Sequence, residues 1–567
     1  MAINPTYPGV YVSETTSPTH VITPATTSVT AFVGAFPRGA TTEAVLVTSW
    51  SEFAAEFGGL TTQSSLAVYG VWQFFQNAPV GSSAWIVRMV PTADPPGTTP
   101  PTGNVAATPA SAVIGPPQAG SPALQISANS PGAWAEGMEV QFVASGPASH
   151  PDPYHADLIV YPAPLATGSP LSPASPPAAQ QQPLETLQNI PVLARPGDPP
   201  LTAAHVAQLI TDASNYLSAQ VPQATSPPSP EPTSAPLAGG SDGTWATPSA
   251  LWTAVAEQEL TDGGRLTQIA PNVFNLLCLP DLAVAADGDQ SEVFTAAHKF
   301  CEDRQAFLIV DAPPPTAGAQ DTTDTVIQNV GVGLGATRLI DWAQGVLSPE
   351  HVAAAVYYPW VQITDPAAAP LSRLVPPSGT IAGVYAATDA SRGVWKAPAG
   401  TEAALGGVSD LADATITDIV NGQLNVLGIN CLRRFPLYGP IVWGSRTLAG
   451  SDLAGSPFKY VPVRRLSDYI EQSLQQSLRW AVFEPNGPAL WSSISIEVTA
   501  FLSGLFGAGA FAGATAAQAY TVACDATTTT ALDQQNGIVN VNVQFAPIDP
   551  AEFVMLNIQI NAASAAS

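Results

Sequence analysis

Ala306-Phe307-Leu308-Ile309-Val310 is an unbroken apolar run, and Val273-Phe274-Asn275-Leu276-Leu277-Cys278-Leu279 upstream is a second with one polar break. Between them Ser291–Cys301 reads as a helix. Beyond them come a mostly helical stretch, Thr322–Gln344, a strand-like His351–Tyr358 and a helix over Thr380–Ala390. Short apolar strands alternating with helices are the pattern of strands covered on both faces, and they predict a parallel, doubly wound sheet.

Towards the N-terminus, residues 26–92 also read as α/β. Val29, Ala31 and Val33 alternate as in a strand. Ser49–Phe57 suits a short helix, with Ser49 or Ser51 as cap, Phe53 and Phe57 one turn apart, and Gly58-Gly59 as its stop. Leu66–Phe75 predicts a second helix and Trp85–Val90 a strand. Residues 1–25 have no periodicity of their own and read as an extended arm around Tyr7-Pro8-Gly9-Val10-Tyr11-Val12.

Residues 93–236 are rich in Pro, Ala, Ser and Thr, with ordered islands at Ala123–Phe142 and Leu201–Ala219. They predict a loop-rich, β-containing inserted outer domain, since proline blocks helix interiors and sheet ladders. Residues 237–420 form the expected middle α/β domain, 421–545 a C-terminal α+β core completed by N-terminal segments, and 546–567 a C-terminal arm. Val463–Val482 predicts an amphipathic helix with Leu466, Ile470, Leu474, Leu478 and Ala481 or Val482 on one stripe. Val539, Val541, Val543 and Phe545 alternate with polar residues, and so do Val554, Leu556, Ile558 and Ile560.

The bulk composition narrows the function. The 567 residues suggest three or four domains. Charged residues make up 11%, less than half the usual share, so the surface relies on uncharged polar groups or is largely covered in an assembly. The net charge is −26, with three lysines, Lys299, Lys396 and Lys459. That disfavours nucleic acid and anionic membranes as partners. Cys278, Cys301, Cys431 and Cys524 are widely spaced and read as buried free thiols in a reducing compartment. Met1–Val12 lacks the pattern of a secretory leader. Val498–Cys524 is uncharged but rich in glycine and hydroxyl residues, and reads as a small-residue helix followed by a loop rather than a membrane span.

No catalytic constellation assembles. Gly239-Gly240-Ser241-Asp242-Gly243 fits the G-x-S-x-G elbow, but that elbow needs a strand before it and a helix after it, and here a proline-rich stretch precedes it. The six histidines form no ligand pair. Gly331-x-Gly333-x-Gly335 lacks dinucleotide-loop spacing, and there is no GK[ST] phosphate loop. Asp287-x-Asp289 lacks the other ligands of a calcium loop. No cofactor and no metal is expected. Seven basic residues do cluster: Arg433, Arg434, Arg446, Lys459, Arg464, Arg465 and Arg479. They either pair locally with Asp452, Asp468, Glu471 and Glu484 or form a basic face for an acidic partner.

Several of these segments resemble contractile tail sheath proteins. Tyr7–Val12 is similar to that family's N-terminal signature, followed by Ala31-Phe32-Val33-Gly34, Val47-Thr48-Ser49-Trp50, the glycine-rich turn Leu237–Gly243 and Arg392-Gly393-Val394-Trp395-Lys396-Ala397-Pro398-Ala399-Gly400. Gly428-Ile429-Asn430, Val442-Trp443-Gly444-Ser445-Arg446-Thr447-Leu448, Tyr460–Leu466, Ala481-Val482-Phe483-Glu484-Pro485-Asn486 and Pro550–Val554 continue it, with Ser445 where the family more often has Ala. The resemblance covers about 5–92 and 237–560 and leaves the insertion unmatched.

It implies a structural protein, not an enzyme. Six-fold rings would stack helically around an inner tube and contract when a baseplate triggers them, with a terminator or cap protein as a further partner. It also implies a middle domain of subtilisin-like fold without catalytic residues. The particle would be assembled in a bacterial cytoplasm as part of a phage tail or tail-like device. The arms are expected to exchange strands between copies through Val10, Tyr11, Val12, Val554, Leu556, Ile558 and Ile560. Arg464, Arg465 and Arg479 are expected to face the tube. A hydrolase and a surface-layer or adhesin protein are the rival readings.

Overall fold

The computed structural model describes residues 20–92, 103–118, 121–147, 151–163, 182–196, 198–222, 232–269, 274–314, 338–348, 350–412, 416–452, 455–553 and 555. They fall into two compact units. One gathers the described parts of 1–27, 388–397 and 458–567, the other those of 28–387 and 398–457.

The larger unit is built on an eight-stranded sheet, ordered Gly439–Val442, Ile429–Phe435, Ala354–Tyr358, Phe307–Asp311, Leu276–Cys278, Thr30–Gly34, Ala84–Arg88, Val45–Val47. The six inner strands are mutually parallel and only the two edge strands run antiparallel. The apolar runs are its centre: Leu276–Cys278, Phe307–Asp311 and Ala354–Tyr358 are buried at every position. The chain steps from Thr30–Gly34 to one side, then to the other, so the winding reverses between Thr30–Gly34 and Leu276–Cys278.

Two expected boundaries do not survive. Strands from residues 30–88 complete this sheet rather than the C-terminal core, and the sheet continues across 420/421 through the pairing of Ala354–Tyr358 with Ile429–Phe435. Periodicity identifies a strand but not the sheet it joins. The short helix Trp50–Phe57 is as read: the Ser49 hydroxyl accepts the Glu52 N–H, Phe53 and Phe57 are buried, and Gly58 ends it at φ 93°. Leu66–Asn77 packs on Ser378–Arg392 without side chains between them at one point: a Cβ on Gly379 would overlap the Gly70 carbonyl oxygen.

The insertion is more regular than its proline content suggested, because the proline-rich stretches flank β-structure rather than interrupt it. A four-stranded antiparallel sheet (Ser234–Pro236, Glu139–Ala144, His155–Tyr161, Glu185–Pro191) and a three-stranded one (Ser111–Ile114, Leu124–Ala128, Leu217–Gln220) enclose a core with the helix Ala203–Ala213. Two arginines lock this lobe to the sheet. Buried Arg88 donates to the carbonyls of Phe36 (2.7 Å), Pro37 (2.9 Å), Gly39 (3.1 Å) and Pro131 (2.7 Å). Arg38 lies over the rings of Trp134 and Tyr216.

In the smaller unit, Val461–Ser477 and Pro488–Gly507 are helices, and Tyr520–Ala523 pairs antiparallel with Asn542–Phe545. Leu466, Ile470, Trp491, Ile494, Val498, Leu502 and Phe511 form the core. The first helix stops earlier than predicted, continuing as a 3-10 turn, Leu478–Ala481, so Val482 leaves the apolar stripe. The uncharged run after Val498 continues its helix to Gly507 and forms one more helical turn at Ala516–Ala519. Gly509 and Gly513, with φ of 83° and 106°, turn the chain towards the strand Tyr520–Ala523. Pro488–Gly507 is the one described helix long and apolar enough to cross a membrane; Leu490, Trp491, Ile494, Val498, Leu502 and Leu505 on it are buried in the unit's own core.

Candidate functional site

In a doubly wound sheet, ligands bind beyond the carboxyl ends of the strands where the winding reverses. Here that crevice is closed from within. Asp281, just past Leu276–Cys278, accepts the Ala35 N–H through Oδ2 and the Ala67 N–H through Oδ1, each at 2.9 Å. Ala67 lies in the first turn of Leu66–Asn77, so the anion position at that helix N-terminus is taken by the protein's own carboxylate. Burial pushes the Asp281 carboxyl up, against the pull of its backbone donors. One strand along, Asp311 accepts the Ser378 N–H (2.7 Å) at the start of Ser378–Arg392, and burial raises its carboxyl to about 7.

The other chemical candidates resolve as structure. Ser241 lies in a stretch bridged to Thr108, with its hydroxyl accepting the Gly243 N–H (3.0 Å); the preceding strand ends at Pro236 and the next helix starts at Pro248, so there is no sharp strand-to-helix turn at the serine. Asp287 and Asp289 occupy the first turn of Asp287–Asp303, and Asp289 accepts the Ser249 hydroxyl. No cluster of three metal-ligating side chains exists among the described residues. A cavity of about 410 Å³ is lined by Thr41, Trp245, Glu259 and Arg265 among others, but Arg265 is paired with Glu259 at 2.7 Å. All four cysteines are buried and free.

The basic cluster is mostly local pairing. Arg433 meets Asp418, Arg434 meets Asp410, and buried Arg446 meets Asp452 and the carbonyls of Asn425 and Gly450. Arg464 is paired with Asp468 on the next turn, and burial raises the Asp468 carboxyl to about 7 while Arg464 pulls the other way. Arg465 is bound to Asp389 (2.6 Å) with both side chains nearly inaccessible, at 4% and 2%. The expectation that Arg465 faces a tube is therefore corrected: its guanidinium is buried against its own carboxylate partner. Arg464 is half-buried, with its charge matched by Asp468. Arg479 alone of the three is exposed.

What Arg465 does is hold the unit together. It also donates to the Thr27 carbonyl (2.6 Å), Ala25 N–H donates to Ser473 Oγ (2.9 Å), Thr23 N–H to Ser477 Oγ (2.9 Å), and His20 stacks on Trp480 at 4.2 Å. Residues 20–27 are thus strapped along the helix Val461–Ser477, a contact no local sequence signal announced. On the same unit, the strands Tyr520–Ala523 and Asn542–Phe545 form a sheet of two, and neither outer edge pairs with a further strand among the described residues. Val543 and Phe545 pack inward, while Asn542 and Gln544 face out. Val10, Tyr11, Val12, Val554, Leu556, Ile558 and Ile560 lie outside the described residues.

Comparison with known proteins points one way. A family model described as the phage tail sheath protein central domain matches residues 259–448, and one described as the phage tail sheath C-terminal domain matches 454–561, together more than half of the chain. The tail sheath protein of Vibrio phage KVP40 is 27% identical over 189 residues, 33% of this chain and 26% of that protein. A putative prophage major tail sheath protein of Pseudomonas aeruginosa (strain UCBPP-PA14) is 26% identical over 278 residues, 48% of this chain. The chain spans 63% of that relative, so under two thirds of either. Among solved structures, an extracellular contractile injection system's PVC sheath complex in the contracted state matches with TM-score 0.54 and 19% identity, covering 98% of both chains. A chain of the anti-feeding prophage baseplate matches with TM-score 0.51 and 21% identity, covering 98% of this chain and 99% of that one. The sheath tail protein of Listeria innocua matches with TM-score 0.54 and 13% identity, covering 92% and 95%. At these identities the structural likeness is one of fold.

Proposed function

The chain belongs to the phage tail sheath family, a family of structural proteins rather than enzymes, and from that premise we propose that it polymerises as stacked six-membered rings around an inner tube and contracts to drive the tube through a target envelope. Its partners are then other copies of itself, the tube protein, a baseplate that releases contraction, and a cap that ends the polymer. Assembly takes place in a bacterial cytoplasm, and the middle of the chain is subtilisin-like in fold.

One observation carries this reading: the roots of both arms belong to the unit that holds a sheet of only two strands. A two-stranded sheet is marginal alone, and its open edges are templates for another strand. An arm from a neighbouring copy supplies one. Val10, Tyr11 and Val12 at one end, and Val554, Leu556, Ile558 and Ile560 at the other, are the segments proposed to cross between copies. Each main-chain hydrogen bond contributes about 1 kcal/mol net, so a strand of several residues holds while compact units rotate. Such head-to-tail exchange does not close on itself and propagates a helix.

The sequence carries no GK[ST] phosphate loop, so the driving energy is stored at assembly. The extended array is metastable, and contraction is a switch between two packings. Deleting residues 553–567 tests the reading. The truncated chain is expected to stay folded and soluble but form no long cylinders under negative-stain microscopy; normal cylinders would remove the arm-exchange proposal.

A further inference from the structure

We propose that Arg479, Val482 and Phe483 form a knob by which one copy docks on the acidic surface of a second copy; this rests on the sheath reading above. Phe483 is 103% exposed and sits at φ 70°, a backbone conformation rare for an aromatic residue. Val482 beside it is 62% exposed. Nothing in the unit's own packing calls for this presentation, since the core is complete without either side chain.

The base of the knob is fixed. Trp480 stacks on His20 and donates to Glu497 (3.2 Å), and the Val482 N–H returns to the Arg479 carbonyl (3.2 Å). The Arg479 guanidinium has no carboxylate, carbonyl or ring partner among the described residues, whereas Arg433, Arg434, Arg446, Arg464 and Arg465 all have one. Arginine is among the residues that carry most interface energy, and phenylalanine is among those enriched at interfaces.

Charge chooses the occupant. The chain carries 43 acidic residues against 17 basic ones, so a neighbouring copy offers a surplus of carboxylates to a lone cation. The knob cannot meet its own image across a two-fold axis, because that would oppose two Arg479 charges. The contact is therefore heterologous, the kind that builds both closed rings and open helical arrays. With Arg465 buried on Asp389 and Arg464 half-buried on Asp468, the three-arginine face that would have favoured the tube as occupant is reduced to Arg479.

The full-length chain decides it, with the critical concentration for cylinder formation read by pelleting and negative-stain microscopy. Phe483→Ala and Arg479→Glu are each expected to raise it by at least about thirtyfold with unchanged melting. Phe483→Gly, which suits a positive φ, should melt no lower than the parent yet assemble as poorly as Phe483→Ala. Val80→Ala, at a fully exposed position on the larger unit, should change nothing. An unchanged critical concentration in the Phe483 and Arg479 variants overturns the proposal. So does normal sheath-only assembly with loss of tube loading, which would return the surface to the tube. A parent chain that never polymerises, with or without tube protein, sinks the sheath reading itself and the knob with it.

Discussion

Two of the sheets of this protein treat their edges in opposite ways. The eight-stranded sheet covers one of its two terminal strands, Gly439–Val442: Gly400 N–H donates to the Val442 carbonyl, Val442 N–H to the Ala403 carbonyl and Leu405 N–H to the Pro440 carbonyl, all at 2.9–3.0 Å. The two-stranded sheet of Tyr520–Ala523 and Asn542–Phe545 has no further strand on either flank among the described residues, only an isolated bridge from Phe511 to Pro547 just past its end. A covered edge keeps a domain whole, and an open one invites a neighbour. One chain carries both, and under the arm-exchange proposal the difference separates a part that stays fixed from a part that connects.

The largest expected effect concerns the closed sheet. Asp311 has its carboxyl raised by burial from the ordinary carboxylate range to about 7. A raised folded value means stability that is full below about pH 4, is lost as pH rises towards 7, and is flat above. The loss amounts to up to about 4 kcal/mol at 1.36 kcal/mol per pKa unit. Asp311→Asn keeps an oxygen for the Ser378 N–H and should remove this slope, raising stability at pH 8 by up to that amount in denaturant titrations. A parent chain equally stable at pH 5 and pH 8 would refute it. Next, Asp281→Ala strands the Ala35 and Ala67 donors and should cost about 3 kcal/mol, read as an earlier unfolding midpoint. Gly379→Ala forces apart two helices in contact and should cost about 2 kcal/mol. Smallest for the fold itself, Asn542→Lys with Gln544→Lys on the open edge should shift subunit stability by under about 0.5 kcal/mol while abolishing long cylinders. Cylinders formed normally by that double variant would erase the contrast between the two sheets.

Much of the closed sheet was legible because its strands announce themselves locally. Ala306–Val310 could hardly be anything but a fully buried strand, and Ser49 and Gly58 bracket a helix by their chemistry alone. The family-like segments prove to be packing devices. Asn430 accepts the Arg446 N–H and donates to the Arg446 and Val356 carbonyls, with Gly444 pressed against it, and Trp395 lies across Gly393. What stayed hidden was long-range. Nothing near Arg465 in sequence marks Asp389 or Thr27 as its partners, so a run of arginines looked like an exposed face. Nothing in Tyr520–Ala523 marks it as the partner of Asn542–Phe545, because the strand is short and follows an uncharged helix. The strap of residues 20–27 rests on single hydrogen bonds to Ser473 and Ser477, which no periodicity encodes.

The carboxylates of Asp281 and Asp311 have a mechanical consequence. Enzymes of this architecture breathe: they part and close about the crevice as substrate enters and product departs. Here the gap is pinned shut by internal bonds from one strand end to the first turn of a helix, and again at the next strand. A block without that give deforms little under load. In the sheath proposed above, it would pass an axial push to whatever it is tethered to.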